Sequence, residues 1–226
     1  MNLSGGDPES ASNDCGAAGF VLAGGLSSRM GGDKALVHLA GEPLIAHALR
    51  TLREAGLSSA IAGARSALSK FAPVVPDPTP GLGPLSGICA GLASTSTRYA
   101  VFLPVDLPFA PPSLIAFLLR HASVTGRAVT VPSASGFDQT FPAVLERSVL
   151  HTLQSELAAG HGGCFQAFHV AARVSGEPIG RVSVELLTQS GQVAHPRALP
   201  SYQWFLNVNT PSDVERAESI CRRRIA

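Results

Sequence analysis

Residues Tyr99 to Val105 read Tyr-Ala-Val-Phe-Leu-Pro-Val, apolar at every position, and the run stops abruptly at Asp106. A strand with one wet face alternates apolar and polar side chains; a strand apolar on both faces must be covered on both. The run is far shorter than the roughly 20 residues that a membrane helix needs. It therefore predicts a central strand of a sheet with helices above and below. The rest of the first half supplies them. Phe20 to Ala23 forms a short apolar strand and a polar Gly-rich loop follows over Gly24 to Asp33. Leu44, Ile45, Ala48, Leu49 and Leu52 then recur at helical spacing and stop before Gly56, where a left-handed residue ends a helix well. Short strands are expected at Ala60 to Ala62 and Val74-Val75. A second Gly/Pro loop, Gly81 to Gly87, leads into a helix through Leu85, Ile88, Cys89 and Leu92, and Pro111-Pro112-Ser113 opens another through Leu114, Ile115, Phe117 and Leu118. Strands alternating with helices predict an α/β fold: a three-layer α/β/α sandwich with a mostly parallel sheet.

The second half is less regular. Strands are expected at Ala128 to Val131, Ala143 to Leu145, Val182 to Leu186 and Trp204 to Val208, and a helix over Ser148 to Ala159, with a break at Gly160 to Gly163. Thr210-Pro211-Ser212-Asp213 predicts the start of the last helix: Thr210 as N-cap, Pro211 in the first turn, Asp213 facing the free amides. The chain of 226 residues suits one domain. Met1 to Gly19 is rich in Gly, Ser and Asn and carries Asp7, Glu9 and Asp14 but no Lys or Arg. That composition is unlike a signal peptide and predicts a disordered tail over 1–19 before a domain over 20–226.

Charge and cysteine usage narrow the function. With 17 basic against 16 acidic residues, no basic field points to nucleic acid or to anionic lipid. An anionic ligand must be held by a few chosen groups. Cys15, Cys89, Cys164 and Cys221 are scattered without a CxxC pair, which argues against structural zinc and for free thiols in a reducing cytoplasm. The chemistry concentrates in Leu22-Ala23-Gly24-Gly25-Leu26-Ser27-Ser28-Arg29-Met30-Gly31-Gly32-Asp33-Lys34. Glycines let backbone N–H groups approach a bulky ligand, and Arg29 and Lys34 add two cations suited to a triphosphate. The spacing matches neither a Walker loop nor a dinucleotide fingerprint. Asp106 stands at the carboxyl end of the doubly apolar strand, where open α/β sheets bind ligands. A lone carboxylate plus substrate phosphates is a common way to hold Mg²⁺; Asp106 could otherwise cap the helix near Pro111. Asp77, before a proline, also reads as turn chemistry, and Asn207 and Asn209 as strand terminators.

The Gly-rich stretch resembles the N-terminal motif of the molybdenum cofactor guanylyltransferases and of the MobA-like nucleotidyltransferase superfamily around them, approximately LAGGxSxRMGxDKxLLxLxGxPL. This chain reads LAGGLSSRMGGDKALVHLAGEPL. The resemblance continues through Pro76-Asp77, Gly83-Pro84-Leu85-Ser86-Gly87, Leu103-Pro104-Val105-Asp106-Leu107-Pro108 and Phe205-Leu206-Asn207-Val208-Asn209-Thr210-Pro211. It implies a Rossmann-like nucleotidyltransferase fold and transfer of GMP from GTP to molybdenum-molybdopterin, releasing diphosphate with Mg²⁺ as cofactor. By resemblance, Leu22, Ala23, Gly24 and Gly25 line the guanine and ribose. Lys34 neutralises phosphate charge, Arg29 clamps the leaving diphosphate, and Asp77 contacts the nucleoside. Asp106 holds Mg²⁺, and Asn207 and Asn209 lie on the acceptor side. Molybdoenzymes or their chaperones would be the protein partners. Two positions depart from the pattern. The family's asparagine after the second strand is missing from Ile61-Ala62-Gly63-Ala64-Arg65, and the histidine of a His-Pro pair is replaced by Phe141 before Pro142. Competing readings are cytidylyl transfer to the same acceptor, nucleotidyl transfer to a sugar or alcohol phosphate, and a non-catalytic chaperone that carries the cofactor.

Overall fold

A computed structural model describes residues 16–24, 33–63, 66–77, 79 and 81–222. In chain order, β1 (Ala17–Leu22) leads to a 3₁₀ turn at Lys34–Leu36, a small antiparallel ribbon of β2 (His38–Leu39) and β3 (Glu42–Pro43), and helix α1 (Leu44–Glu54). Next come β4 (Ser58–Ala62), β5 (Val74–Val75), α2 (Pro84–Ser94), β6 (Tyr99–Pro104) and α3 (Pro112–Thr125). The second half holds β7 (Val129–Ala134), β8 (Phe137–Asp138), β9 (Ala143–Glu146), α4 (Leu150–Ala158), α5 (Cys164–Val174), β10 (Gly180–Ser183), α6 (Val184–Gln189) and α7 (Pro211–Arg222).

The main sheet runs β10-β7-β9-β6-β1-β4-β5, with β8 paired to β7. β1 pairs in parallel with both β6 and β4, β4 with β5, and β10 with β7, whereas β9 lies antiparallel between β6 and β7. Period-two alternation sorts the side chains of the central strands. Val21, Val101 and Leu103 enter a core with α1, α3, α6 and α7, while Phe20, Leu22, Ala100 and Phe102 enter a second core with α2, α4 and α5. Both faces of β6 are therefore dry, as its composition demanded, and the three layers are those expected from sequence. Fully burying one ring such as Phe102 contributes about 1.5–3 kcal/mol. Gly91 lets α2 descend onto the stacked pair Phe20 and Phe102, whose ring centroids are 5.4 Å apart. A Cβ at Gly91 would lie only 2.8 Å from Cε1 of Phe102.

Several local expectations are corrected. β1 begins at Ala17, so the last three residues assigned to the tail, Ala17 to Gly19, belong to a central strand; residues 1–15 lie outside the described part. The strand expected over Val182 to Leu186 ends at Ser183, because its hydroxyl accepts the N–H of Leu186 at 3.4 Å and starts α6. Trp204 to Val208 is not a strand: β6 already has β1 and β9 on its two edges. The segment makes one ladder-like bond instead, from the Val208 N–H to the Asp106 carbonyl at 3.0 Å. α5, absent from the sequence reading, follows the Gly160 to Gly163 break, and its buried residues Cys164, Ala167, Phe168, Ala171 and Ala172 keep strict helical spacing. The last helix starts as expected. The Asp213 carboxylate accepts the N–H groups of Asn209 and Thr210 at 3.0 and 2.8 Å, and the Thr210 hydroxyl accepts that of Asp213 at 3.3 Å.

Candidate active site

The chain runs outward from β1 to β4 and β5, then returns across β1 to form β6. Adjacent strands whose connections leave in opposite directions open a crevice at their carboxyl ends. Leu22 pairs with Pro104 in the β1–β6 register, and the Val105 N–H donates to the Leu22 carbonyl at 3.1 Å, so the two strands end together. A cavity of about 720 Å³ opens there. Leu22 and Gly24 after β1, Pro104 to Leu107 after β6, Lys34, Pro84, Asp138 to Phe141, Gly162 to Phe165, Phe205 and Asn207 line it.

Each charged group is set by the local fold. Asp33 caps the 3₁₀ turn, its carboxylate accepting the Ala35 N–H at 3.0 Å, and this fixes the backbone from which Lys34 projects. The Lys34 ammonium donates to Oδ2 of Asp106 at 2.7 Å and also to the side-chain carbonyl of Asn209. Lys34 and Asp106 are each 18% exposed at the side chain, so the pair is largely but not wholly shielded from water. Asn207 and Asn209 flank Val208, which is fully buried in the core and tied by its N–H to Asp106. Alternation along this extended stretch gives both asparagines the opposite side from Val208, with Asn207 at the cavity wall and Asn209 on the lysine. The capping of α7 holds the other end: the Thr210 hydroxyl, then the Asn209 N–H, keep the Asp213 carboxyl below the usual carboxylate range.

Of the residues singled out from sequence, Leu22, Gly24, Lys34, Asp106 and Asn207 line one cavity, and Asn209 is bonded into it. Ala23 lies between Leu22 and Gly24, its N–H donated to the Ala62 carbonyl at 3.2 Å. Gly25 and Arg29 lie outside the described residues. Asp77 is apart from the cavity lining. Its carboxylate accepts the Thr79 N–H at 2.8 Å and the hydroxyl of fully buried Ser86, so it ties the segment after β5 to the first turn of α2. Where the family's asparagine is missing, Gly24, Gly63 and Gly87 bring three backbone segments together. A Cβ on Gly24 would meet the Gly63 carbonyl at 2.9 Å, and one on Gly63 would sit 3.6 Å from the Cα of Gly24 and of Gly87.

The sequence reading missed the wall formed by Gly162 to Phe165, and with it Phe205. The signal was present in the helical spacing from Cys164 onward. Phe141 lines the cavity and packs edge-on against Phe168 of α5, with ring centroids 6.2 Å apart. Cys164 also faces the cavity, but burial, together with the neighbouring Cys89, pushes its thiol up to about 12. It is protonated at neutral pH and is a poor nucleophile. Asp138 is engaged by Arg181 at 2.7 Å. Among the described residues the site thus brings together an ammonium, a carboxylate and two side-chain amides beside a mixed polar and aromatic cavity. That arrangement can hold and neutralise a polyphosphate.

Residues 19–174 match the MobA-like NTP transferase domain. The chain belongs to the MobA-like NTP transferase family. As such it is a nucleotidyltransferase, with the α/β/α architecture of that family. A probable molybdenum cofactor guanylyltransferase of Pelotomaculum thermopropionicum is 33% identical over 204 residues, covering 89% of this chain and 91% of that protein. A molybdenum cofactor guanylyltransferase of Pseudomonas putida is 40% identical over 146 residues, covering 62% of this chain and 76% of its own. Among solved structures, molybdopterin-guanine dinucleotide biosynthesis protein A from Archaeoglobus fulgidus superposes with a TM-score of 0.72 at 22% identity, covering 90% of this chain and 98% of that one. The last likeness speaks to the fold. No helix among the described residues of this MobA-like transferase is long and apolar enough to cross a membrane.

Proposed function

We infer that the protein is a molybdenum cofactor guanylyltransferase, moving GMP from GTP to the terminal phosphate of molybdenum-molybdopterin and releasing diphosphate. The single observation that carries the reading is the cluster of Lys34, Asp106 and Asn209 at the joined ends of β1 and β6, facing a cavity of a size suited to nucleotide and acceptor. Relatives with that activity in their names support it over nearly the whole chain.

The acceptor phosphate is a nucleophile near neutral pH and needs no general base. Transfer then depends on positioning and on charge neutralisation. Lys34 faces the charge that grows as the bond to diphosphate breaks, and Arg29 clamps the outer phosphates. The backbone of Leu22, Ala23, Gly24 and Gly25 lies along the nucleoside, and the close Gly24–Gly63 approach stands in for the missing asparagine. Asp77 acts as a positioning residue through Ser86 and Thr79. Asn207, Phe141 and the start of α5 form the acceptor side.

The donor set fits Mg²⁺: the Asp106 carboxylate and the Asn209 carbonyl are hard oxygen ligands converging on one point, to be completed by phosphate oxygens. When bound, the ion supplies charge stabilisation to the phosphates. Diphosphate release measured with GTP, CTP, ATP and UTP, each with molybdopterin and Mg²⁺, tests the reading. Release with GTP far above the others is expected. A CTP preference would replace guanylyl by cytidylyl transfer, and no release with any nucleotide would leave a cofactor carrier.

A further inference from the structure

The point where the Asp106 carboxylate and the Asn209 carbonyl converge is filled by the Lys34 ammonium, 2.7 Å from Oδ2 of Asp106. A lysine ammonium is a compact point charge with three donors. The oxygens that satisfy it are the kind that a divalent ion prefers. We propose that Lys34 is a resident counter-ion of this cation site, so that a divalent ion enters only together with a nucleoside triphosphate and exchanges places with the lysine. The proposal rests on reading Asp106 as the cation ligand.

Three observations carry it. First, the pair is already neutral: the Asp106 carboxylate faces the Lys34 ammonium. A bare divalent ion would have to displace that ammonium and leave it close by and unpaired. Second, the site offers little in return. Among the described residues no group of three or more His, Cys, Asp or Glu could hold a metal, and the Lys34 ammonium meets one carboxylate there, that of Asp106. Third, the lysine has limited freedom to leave by itself. Its backbone is fixed by the Asp33 cap, and both partners are held, Asp106 through the Val208 N–H and Asn209 through the capping of α7. A triphosphate changes all three terms at once. It gives the ammonium new anionic partners, brings phosphate oxygens to complete the ion's shell, and compensates the added charge. Nucleotide and metal are then coupled through one side chain, and the coupling is reciprocal.

A divalent ion at Asp106 would sit beside the ammonium, and like charges at such a separation repel strongly. The test is Mn²⁺ titration of the full nucleotide-free chain, with free Mn²⁺ followed by electron paramagnetic resonance. Wild type, Lys34→Met, Lys34→Gln and the double variant Lys34→Met with Asp106→Asn are compared, each checked for an unchanged circular dichroism spectrum. Wild type should bind Mn²⁺ weakly, and both single variants at least about tenfold more tightly at one site. The double variant should return to weak binding. Tight binding by wild type, no gain in the folded single variants, or a gain that survives loss of Asp106 would each overturn the exchange. A separate arm tests the underlying reading: the ratio of GTP affinity with Mn²⁺ to that in EDTA, by calorimetry, for wild type and Asp106→Asn. If the ratio is unchanged in Asp106→Asn, Asp106 is not the ligand. If it collapses while the Lys34 variants gain nothing, only the exchange fails.

Discussion

Gly24 and Gly91 offer a matched pair of perturbations that separates the nucleotide site from the core. A Cβ on Gly24 would lie 2.9 Å from the Gly63 carbonyl oxygen. That is roughly half an ångström inside ordinary contact, and the obstacle is backbone, not a side chain that can swing away. Gly24 itself is not in the left-handed region, so the effect of Gly24→Ala is steric alone. Either the Gly63 turn or the exit of β1 must shift by about that half ångström. Overpacking of this kind costs about 1–3 kcal/mol. Because the shift falls where the Gly-rich loop begins, GTP should bind about tenfold more weakly, since even 1 Å of misplacement can cost about a hundredfold. Gly91→Ala meets an equal clash, 2.8 Å to Cε1 of Phe102 and 3.1 Å to Cγ of Phe20, but in the core beneath α2. Its gain of up to about 1 kcal/mol in helix propensity offsets part of the cost. Both variants should therefore melt lower, by about 2–4 °C per kcal/mol. Only Gly24→Ala should weaken GTP in calorimetric titration, with Gly91→Ala within twofold of wild type. Wild-type GTP affinity in Gly24→Ala would refute the claim that the Gly24–Gly63 approach shapes the nucleotide site, and equal losses in both would mean that stability, not geometry, governs binding.

Asp106→Asn should lower kcat by about 10²–10³-fold while shifting stability by no more than about 1 kcal/mol, the worth of an ion pair that is partly exposed; near-normal turnover in saturating Mg²⁺ would remove Asp106 from the chemistry. Deleting residues 1–19 should lower the melting temperature clearly, because Ala17 to Gly19 pair with β6 and Ala18 and Gly19 also with β4, whereas a deletion ending at Cys15 leaves β1 whole; thermal melts of the two truncations that coincide would contradict this. His195 gives a pH dependence. Burial first, then the charge of Arg197, depresses its pKa to about 4, and Nδ1 accepts the Arg197 N–H at 3.0 Å, which favours the neutral ring. The folded state thus binds the proton less readily than the unfolded chain, so this contribution is complete above about pH 6.5 and is lost as pH falls toward 4, with a slope of up to about 1.4 kcal/mol per unit. Urea unfolding between pH 4.5 and 7.5 should show that slope in wild type and a shallower one in His195→Gln; parallel curves would count against it.

Much of this site was legible because its chemistry is local in sequence. The Asp33-Lys34 pair, the dry strand ending at Asp106, and Asn207 and Asn209 alternating about an apolar Val208 all carry their meaning in a few neighbouring residues. Where the reading went wrong, two rules competed. Val182 to Leu186 alternates apolar Val182, Val184 and Leu186 with polar Ser183 and Glu185, which reads as a strand, but the Ser183 cap starts a helix there. The run from Trp204 to Val208 has strand composition, but the strand it lies against, β6, already has β1 and β9 on its two edges.

The sequence by itself determined the type of most elements in the first half, the three-layer arrangement and a short list of candidate groups for a polyphosphate. Burial periodicity and turn residues act over a few positions, and they are written in the chain. Only the tertiary structure decided the order of the strands, with β9 antiparallel between β6 and β7, and hence which candidates meet. Asp77 and Asp106 look alike in sequence, each an aspartate after an apolar strand and beside prolines. β6 lies at the centre of the sheet next to β1, where the connections diverge, so Asp106 faces the cavity and Lys34. β5 lies at the edge, so Asp77 turns to Ser86 and Thr79. Pairing between strands distant in sequence depends on how the whole set of apolar faces is covered at once, and no local stretch of residues encodes that.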